Sequence, residues 1–450
     1  MPARPPTLER NTVTLSAGPV PGLTDHQMLV FLLQLSLLIS VAALLGRAAA
    51  RFNMPPVVGE LAAGVVLGPS VFGNAAPGLS HWLLPRDPEQ MHLLNAVSQL
   101  GVLLLVAITG AHIDLGLLRR RRRAIGLVSA GSVLLPLAFG VALGTLLPDS
   151  LMGGAGGHGT FALFIGVAVA VSALPVIAKT LLDMGLLHRN VGQMIIGAAA
   201  VSDIVGWLLL SIVSAMATHG LRAGVVAESV GRLLIVLAAT VLVLRPLAVR
   251  VLRPTRHAQQ PGFSLSLIVI MILLSAAGTH ALGMEPILGA FLCGIVVSSL
   301  GTASRGSLDS VRTFVMATLA PLFLATAGLQ VDLTTLAHPS VLLAAVITLA
   351  VAIGAKFAGG YLGARLGRLD RTESLAIGAG LNARGLVEIV LASVGLRLGV
   401  LNTASYTVVV LVAVVTSVMA PPILRRTTGR IAKTSAEVER EREFTAQLVV

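Results

Sequence analysis

Long apolar stretches separated by short polar segments follow one another along almost the whole chain. A helix needs roughly 20 apolar residues to cross a hydrocarbon core about 30 Å thick. The pattern therefore predicts an all-α polytopic membrane protein with a polar N-terminal segment at 1–26, a transmembrane region at 27–425 and a short tail at 426–450. Within that region it predicts about thirteen transmembrane helices, at residues 27–46, 55–74, 91–111, 124–147, 160–182, 190–218, 223–249, 263–281, 286–300, 312–329, 339–362, 373–396 and 404–424.

Composition and charge support a membrane location. Of the 450 residues, 55% are hydrophobic and 12% are charged, and the formal net charge is +12. The basic residues lie in short runs between apolar stretches, which is typical of cytoplasmic loops and does not form a nucleic-acid surface. Odd-numbered loops and the start of the tail hold 20 lysines and arginines against 3 in the even-numbered loops. This bias predicts insertion in the cell inner (plasma) membrane with the N-terminus outside and the C-terminus cytoplasmic.

Short motifs recur in the same order in the two halves of the chain. PVVGELAAGVVL at 56–67 aligns with PILGAFLCGIVV at 286–297, GAHIDL at 110–115 with GLQVDL at 328–333, and SALPVIA at 172–178 corresponds by order to NARGLVE at 382–388. The pattern predicts two five-helix units, at about 55–218 and 286–424, that begin seven helices apart. Because seven is odd, the units are inverted in the membrane, as in secondary transporters that bind substrate at discontinuous helices.

Two residues indicate where such helices break. Pro175 lies within an apolar span and removes a backbone donor, and Gly385 follows polar residues in a second span. Either residue alone favours a simple kink. Because they occupy corresponding places in the two units, they predict a pair of crossed discontinuous helices.

Asp203 is the only charged residue in the apolar run AAAVSDIVGWLLL at 198–210. It lies about 13 residues, or roughly 20 Å, from the cytoplasmic end of its helix, and so near the middle of the bilayer. A carboxylate there costs on the order of 3 kcal/mol, which favours a functional role over a structural one. When Asp203 is ionised it can bind a monovalent metal cation, and when it is protonated it cannot. One site would therefore couple the flux of the cation to the flux of H+. Ser202, Ser172 and Asn382 are candidate co-ligands of the cation.

Lys356 is the strongest candidate for a cationic partner of Asp203 in the transmembrane region. It lies about 14 Å along its helix from Arg365, deeper than snorkelling to the interface favours. Arg384 and Glu388 are four residues apart and can pair on one helix face, which predicts that they hold the crossover together.

Two further carboxylates are expected near the ends of helices. Glu60 follows Gly59 near the inner end of the second helix, where it either lines a cytoplasmic funnel or lies half-exposed at the interface. The aligned position in the second unit is Ala290. Glu285 is expected at the outer interface.

Four segments together resemble the second branch of the monovalent cation:proton antiporters, the Kef-like bacterial transporters and plant cation/H+ exchangers. They are PPVVGELAAGVVLGPSVFG, VSALPVIAKTLLDMGLL, AAAVSDIVGWLLL and GAGLNARGLVEIVLASVGL, and the resemblance covers 27–425. It implies the sodium/proton antiporter fold, usually a homodimer, with a dimerisation unit and a mobile core whose broken helices cross at 172–178 and 382–388. It also implies that Asp203 is the essential aspartate and Lys356 the core lysine.

One position departs from the electrogenic members of that family. They carry two consecutive aspartates, whereas Ser202 precedes Asp203 here. The loss of a carboxylate predicts electroneutral exchange of one K+ or Na+ for one H+. The nucleotide-binding cytosolic domain of Kef-type systems is not found in the sequence, so gating through it is not expected.

Two other transport functions remain open from the sequence: a sodium-coupled organic-solute symporter and a K+ efflux channel-like protein. An enzyme is disfavoured because the sequence has no His-rich metal cluster, nucleophile elbow or paired catalytic carboxylates. No cofactor is predicted, and the single cysteine, Cys293, excludes an intrachain disulfide. The expected partners are K+ or Na+, H+, the lipid bilayer and a second copy of the chain.

Overall fold

The computed structural model describes residues 24–52, 54–84, 88–111, 122–184, 186, 189–219, 223–252, 261–300, 311–429, 431 and 437. Apart from short helices and turns, the described residues form fifteen helices. They are α1 (Asp25–Arg51), α2 (Pro56–Leu67), α3 (Pro88–Ala111), α4 (Arg122–Leu146), α5 (Gly157–Ala170), α6 (Leu174–Asp183), α7 (Asn190–His219), α8 (Ala223–Ala239 continued by a π-helical turn and Arg245–Leu252), α9 (Pro261–Ala281), α10 (Pro286–Ser298), α11 (Val311–Leu329), α12 (Pro339–Leu366), α13 (Arg371–Gly380), α14 (Leu386–Arg397) and α15 (Thr403–Thr428).

The chain is a multi-pass membrane protein. Among the described residues, ten helical segments are long and apolar enough to cross a bilayer, one of them being α2 together with the short helix that follows it, Pro56–Ala75. The other three predicted spans take a different form: α10 has only 13 residues, and the spans at 160–182 and 373–396 are each divided into two shorter helices, α5 with α6 and α13 with α14. The all-helical membrane fold is confirmed, whereas the number of thirteen helices stays a prediction.

Several helix ends follow from local capping chemistry. Capping boxes, in which side chains satisfy the free N–H groups of a first turn, begin α1 at Thr24, α13 at Asp370 and α15 at Asn402. Proline occupies the first position of α2, α10 and α12, where a missing N–H does no harm. With these capping signals, the helices begin close to the residues predicted from the sequence. The end of α15 differs from the prediction, because the helix runs four residues beyond 424, to Thr428.

The inverted repeat is visible in glycine contacts. A Cβ atom on Gly64 of α2 would lie 1.9 Å from the carbonyl oxygen of Ala325 on α11, and one on Gly294 of α10 would lie 1.9 Å from that of Ala107 on α3. Gly64 and Gly294 are 230 positions apart, and Ala107 and Ala325 are 218 apart, which are the offsets of the sequence motifs. Each repeat therefore packs its first helix against the second helix of the other.

The same correspondence includes the helix that precedes each predicted unit. A Cβ on Gly59 would lie 2.0 Å from the Leu45 oxygen of α1, and one on Gly289 would lie 2.2 Å from the Ser275 oxygen of α9. Gly59 precedes Gly289 by 230 positions, and Leu45 precedes Ser275 by the same number. The packing relation thus extends one helix beyond the five that the motifs indicate.

The helices form two groups that pack more extensively within than between themselves. The scaffold, as we call it, consists of α1–α3 and α9–α11. The site bundle consists of α4–α7 and α12–α15, where Gly131 of α4 and Gly359 of α12 meet backbone to backbone. Helix α8 follows α7 and leads the chain back to the scaffold.

We call one end of the molecule the basic end. It contains the C-termini of α1 and α15 and the N-terminus of α2, and carries Arg47, Arg51, Arg425 and Arg426. The described part of the tail also lies there: Arg189 donates to the Ile431 carbonyl at 2.9 Å, and the Asn190 N–H donates to Glu437 at 2.6 Å. The tail therefore contacts the first turn of α7, the helix that carries Asp203.

Candidate cation and proton site

Two broken helices cross in the site bundle. Helix α5 ends at Ala170 before α6 begins, and α13 ends at Gly380 before α14 begins. The connecting segments hold each other: the Ala173 N–H donates to the Ala383 carbonyl at 3.2 Å, and the Ser172 hydroxyl donates to the Leu381 carbonyl at 3.1 Å. Four helix ends consequently meet inside the protein.

The residues predicted to break the helices lie at the start of the second half of each. Gly385 immediately precedes α14 with φ +150°, a conformation that residues with side chains rarely adopt. Pro175 is the second residue of α6, so the break lies before it, at 171–173, rather than at the proline itself. A proline in the first helical turn removes no intrahelical hydrogen bond.

Asp203 lies in the interior of α7 and is fully buried. No side-chain donor reaches either of its carboxylate oxygens. The carboxylate interacts electrostatically with Lys356, and the backbone N–H of Leu174, the first residue of α6, is directed at it. The N-terminus of a helix carries partial positive charge. The N-terminus of α6, which the break exposes inside the protein, therefore favours a negative charge on Asp203.

Other oxygens without hydrogen-bond partners belong to the predicted co-ligands. The hydroxyl of Ser202 has none, although the residue is buried. Asn382 donates its amide N–H groups to the Gly378 and Ile353 carbonyls at 3.2 and 3.4 Å, which leaves its Oδ1 without a partner. Ser172 uses its hydrogen on a carbonyl but keeps its lone pairs. Hard oxygens of this kind suit alkali cations.

Two buried cations satisfy the C-terminal end of α5. Lys356 Nζ donates to the Ala170 carbonyl. Arg384 donates to the Ala168 carbonyl at 3.2 Å and to the Val169 carbonyl at 2.6 Å, and it reaches Ala352 on α12 at 2.9 Å. The last carbonyls of a helix have no intrahelical donors and carry partial negative charge, so two cations stabilise this end.

Arg384 also pairs with Glu388. Its Nη1 lies 2.6 Å from Glu388 Oε1, and both side chains are buried. Glu388 stands in the first turn of α14, at the positive end of that helix. Lys356 interacts electrostatically with Glu388 and Asp203, but neither carboxylate lies within ion-pair distance of it among the described residues. The crossover therefore holds two acidic and two basic side chains.

Two cavities approach the boundary between scaffold and site bundle from opposite ends. The one at the basic end has a volume of about 370 Å³ and is lined by Glu60, Thr180 and Arg425, and by Val176 and Leu386 of the two crossing half-helices. The one at the opposite end has a volume of about 470 Å³, and its polar wall includes His92, Asn95, Gln99, Gln330, Ser393 and Arg397.

Comparison with known proteins agrees with this geometry. The family model described as "Sodium/hydrogen exchanger, transmembrane" matches residues 37–428. The chain belongs to this family. Its members are transporters, and the fold expected from the sequence, with its inverted repeats and crossed broken helices, is confirmed.

Relatives of this exchanger include antiporters from several kingdoms. It is 31% identical to the Na(+)/H(+) antiporter NhaS4 of Synechocystis sp. over 406 residues, which are 89% of this chain and 97% of that one. It is 27% identical to the K(+)/H(+) antiporter 1 of Saccharomyces cerevisiae over 412 residues, 89% of this chain but 46% of that one. The sodium proton antiporter MjNhaP1 of Methanocaldococcus jannaschii superposes with a TM-score of 0.65 at 15% identity, over 92% of this chain and 99% of that one.

The sequence did not indicate one buried charge of this exchanger. Glu285, expected at the outer interface, lies at the N-terminal end of α10, away from the basic end, and is only 5% exposed. Its Oε1 accepts a hydrogen bond from Ser214 of α7 at 2.8 Å, so it joins the scaffold to the site bundle. Glu285 lies at a helix end next to Pro286, which is also a usual place for a carboxylate at the membrane interface. Nothing in the local sequence distinguishes a buried carboxylate from an interfacial one.

Proposed function

We propose that the chain exchanges one monovalent cation, K+ or Na+, for one H+, and that Asp203 binds each in turn. The observation that carries the proposal is the state of Asp203, a fully buried carboxylate that accepts no hydrogen bond from any described side chain. A bare buried charge is costly, so a cation or a proton stabilises this position. Because both occupy the same oxygens, binding of one excludes the other.

Ser202, Asn382 and Ser172 complete the cation shell in this proposal. The first two supply oxygens without hydrogen-bond partners, and the hydroxyl of Ser172 lies in the extended segment just before α6. Backbone carbonyls at the two breaks supply further ligands. No comparable shell is needed for the proton, which requires one carboxylate oxygen only.

Exchange of one cation for one proton is electroneutral. The loaded site carries the same net charge with either occupant, and the Arg384–Glu388 pair and Lys356 stay fixed around it. Ser202 provides no second carboxylate for a second proton. Lys356 balances the charge of Asp203 in the interval between release of one ion and binding of the next.

The two cavities supply alternating access. The basic end faces the cytoplasm by the positive-inside rule, which places the C-terminus inside and the N-terminus outside the plasma membrane. Glu60 then lines the cytoplasmic funnel, at whose inner wall the crossing half-helices lie. A homodimer formed through the scaffold belongs to the same proposal, because the site bundle must stay free to move.

The relatives argue against the two other transport functions. NhaS4 is named a Na(+)/H(+) antiporter, the yeast protein a K(+)/H(+) antiporter, and GerN of Bacillus cereus, 28% identical over 405 residues, a Na(+)/H(+)-K(+) antiporter. None of these names describes a solute symporter or a channel. Both K+ and Na+ are therefore candidate substrates and are compared in the experiment below.

The decisive experiment measures cation-driven proton flux in proteoliposomes with K+, Na+ and Li+, with and without a clamped voltage. Wild type is compared with Asp203→Asn and with the control Asp332→Asn, whose oxygen caps a turn that asparagine also caps. We expect flux in wild type and control, no flux in Asp203→Asn, and no dependence on voltage. Normal flux in Asp203→Asn would refute the proposed site, and a current that follows the voltage would refute electroneutrality.

A further inference from the structure

The cavity at the basic end contains chemistry that cation exchange does not use. Fourteen described residues line it; eleven of these have no nitrogen or oxygen in the side chain, and Glu60, Thr180 and Arg425 do. An alkali cation needs several oxygen ligands to replace its water, and this wall offers few. A hydrated ion can pass through the cavity, but the wall is suited to holding an apolar molecule.

Glu60 is the only carboxylate among the described residues of that wall. It is partly buried, and no described residue lies within hydrogen-bond or ion-pair distance of its carboxylate. Arg425 borders the same cavity but makes no ion pair with it. Opposite Glu60, α1 has Gly46, where a Cβ would lie 3.3 Å from Oε1. The carboxylate is therefore free to meet a ligand.

The inverted repeat shows that helix packing does not require this carboxylate. Position 290 corresponds to position 60 at the offset of 230, and there the chain has a fully buried alanine. Glu60 thus breaks the symmetry of the two repeats at the cavity wall. A partly buried charge that packing does not require, in a largely apolar pocket, indicates ligand binding.

Three methionines complete the apolar wall: Met54, Met184 and Met316. Their unbranched thioether chains adapt to ligands of irregular shape. A volume of about 370 Å³ lies within the range of pockets for small organic molecules.

We propose that this cavity binds amphipathic organic cations, that is, hydrophobic ammonium compounds with one positive charge and an apolar body. The ammonium group lies against the Glu60 carboxylate, and the apolar body packs among the methionines. Because Val176 and Leu386 form the inner wall, a bound compound closes the path from the basic end to the crossover. Binding is independent of the proposed function; only the resulting block of exchange rests on it.

Binding is tested on the purified full-length chain in detergent by titration calorimetry. The probes are 4-phenylbutylammonium and the neutral 4-phenylbutanol, and the variants are Glu60→Gln, Glu60→Asp and the control Glu373→Gln at the start of α13. We expect the amine to bind wild type, Glu60→Asp and Glu373→Gln, and Glu60→Gln to bind it about tenfold more weakly or worse, as loss of a charged hydrogen bond implies. A Tm equal to that of wild type shows that Glu60→Gln is folded.

Two results would overturn the inference: equal affinity for the alcohol and the amine, or unchanged amine affinity in Glu60→Gln. In proteoliposomes the amine should inhibit exchange from one face only, and in Glu60→Gln the rate of exchange with the amine should equal that variant's own rate without it, whatever that rate is. Binding that depends on Glu60 in a chain that shows no exchange would refute the proposed function and leave this inference standing. Exchange that continues with the amine bound would refute the block.

Discussion

Arg397 Nη2 lies 2.6 Å from Glu285 Oε2, across the boundary between the site bundle and the scaffold. Glu285 stands at the start of α10 and Arg397 at the end of α14, and Arg397 also borders the cavity at the opposite end from the arginines of α1 and α15. The pair therefore joins the two groups of helices on the side away from the basic end. An exchanger that opens on that side must separate these residues.

We expect Glu285→Gln to favour the conformation that is open at this end. Glutamine keeps an oxygen for Ser214 but loses the charge that holds Arg397, which is partly exposed. A cysteine placed at Ser393, in the wall of the same cavity, should then react about three to ten times faster with a maleimide. The natural Cys293 is fully buried and is replaced by serine in all variants.

Glu228→Gln is the matched control for this experiment. Glu228 pairs with Arg232 on the exposed face of α8, four residues away on the same helix, and does not join the two groups. Its loss should leave the labelling rate unchanged. Equal rates in Glu285→Gln and in the parent would show that the Glu285–Arg397 contact does not restrain opening.

Arg384→Gln should destabilise the protein more than Glu388→Gln. Removing one partner of a buried ion pair costs about 3–5 kcal/mol, and Arg384 additionally donates to three backbone carbonyls. Glu388→Gln leaves those three bonds in place. Thermal unfolding of the purified variants measures the order, and an equal loss of Tm would mean that the carbonyl contacts contribute little.

Lys356→Gln should lower the apparent KM for the transported cation severalfold and lower the maximal rate of exchange. Glutamine can still donate to the Ala170 carbonyl, so α5 keeps its cap, but the positive charge that opposes cation binding near Asp203 is gone. Tighter binding also slows release. The kinetics of flux against cation concentration test this, with Arg365→Gln at the end of α12 as the control; a raised KM would contradict it.

Alanine at Gly64 or Gly294 should abolish correct folding. At either position the added Cβ would lie 1.9 Å from a carbonyl oxygen of the facing helix, and backbone cannot yield as a flexible side chain does. We expect a loss of more than about 4 kcal/mol, seen as aggregation in size-exclusion chromatography. Gly126→Ala and Gly278→Ala are matched helical controls with open space around them. They should gain about 0.5–1 kcal/mol.

The close contacts at glycine explain why the repeats could be predicted from sequence. Only glycine permits such an approach, so Gly64 and Gly294 occur at matching places in both halves, within motifs that align. Asp203 could be predicted as a candidate site residue for a related reason, since a single carboxylate in an apolar run has few explanations. In both cases the identity of one residue is enough to indicate its role: glycine at a close backbone contact, and aspartate inside a membrane span.

The details of the breaks could not be predicted in the same way. Residues 171–173 themselves contain no glycine or proline, and the partner that holds them there, Ala383, lies far away in the sequence. The members of the Glu285–Arg397 pair are also distant in the sequence, at a separation of 112 positions. A charge at the end of a membrane helix has the same local sequence whether it meets lipid headgroups or another helix.

The order of synthesis gives the crossover a further consequence. Helix α7 emerges with Asp203 long before Lys356, Asn382 and Arg384 have been translated, and α5 is made before the cations that cap its last carbonyls. A nascent chain that ends before residue 356 therefore holds a carboxylate and open carbonyls without their final partners. The first half of this protein must be sheltered, by the translocon or by water at its surface, until the second half is inserted.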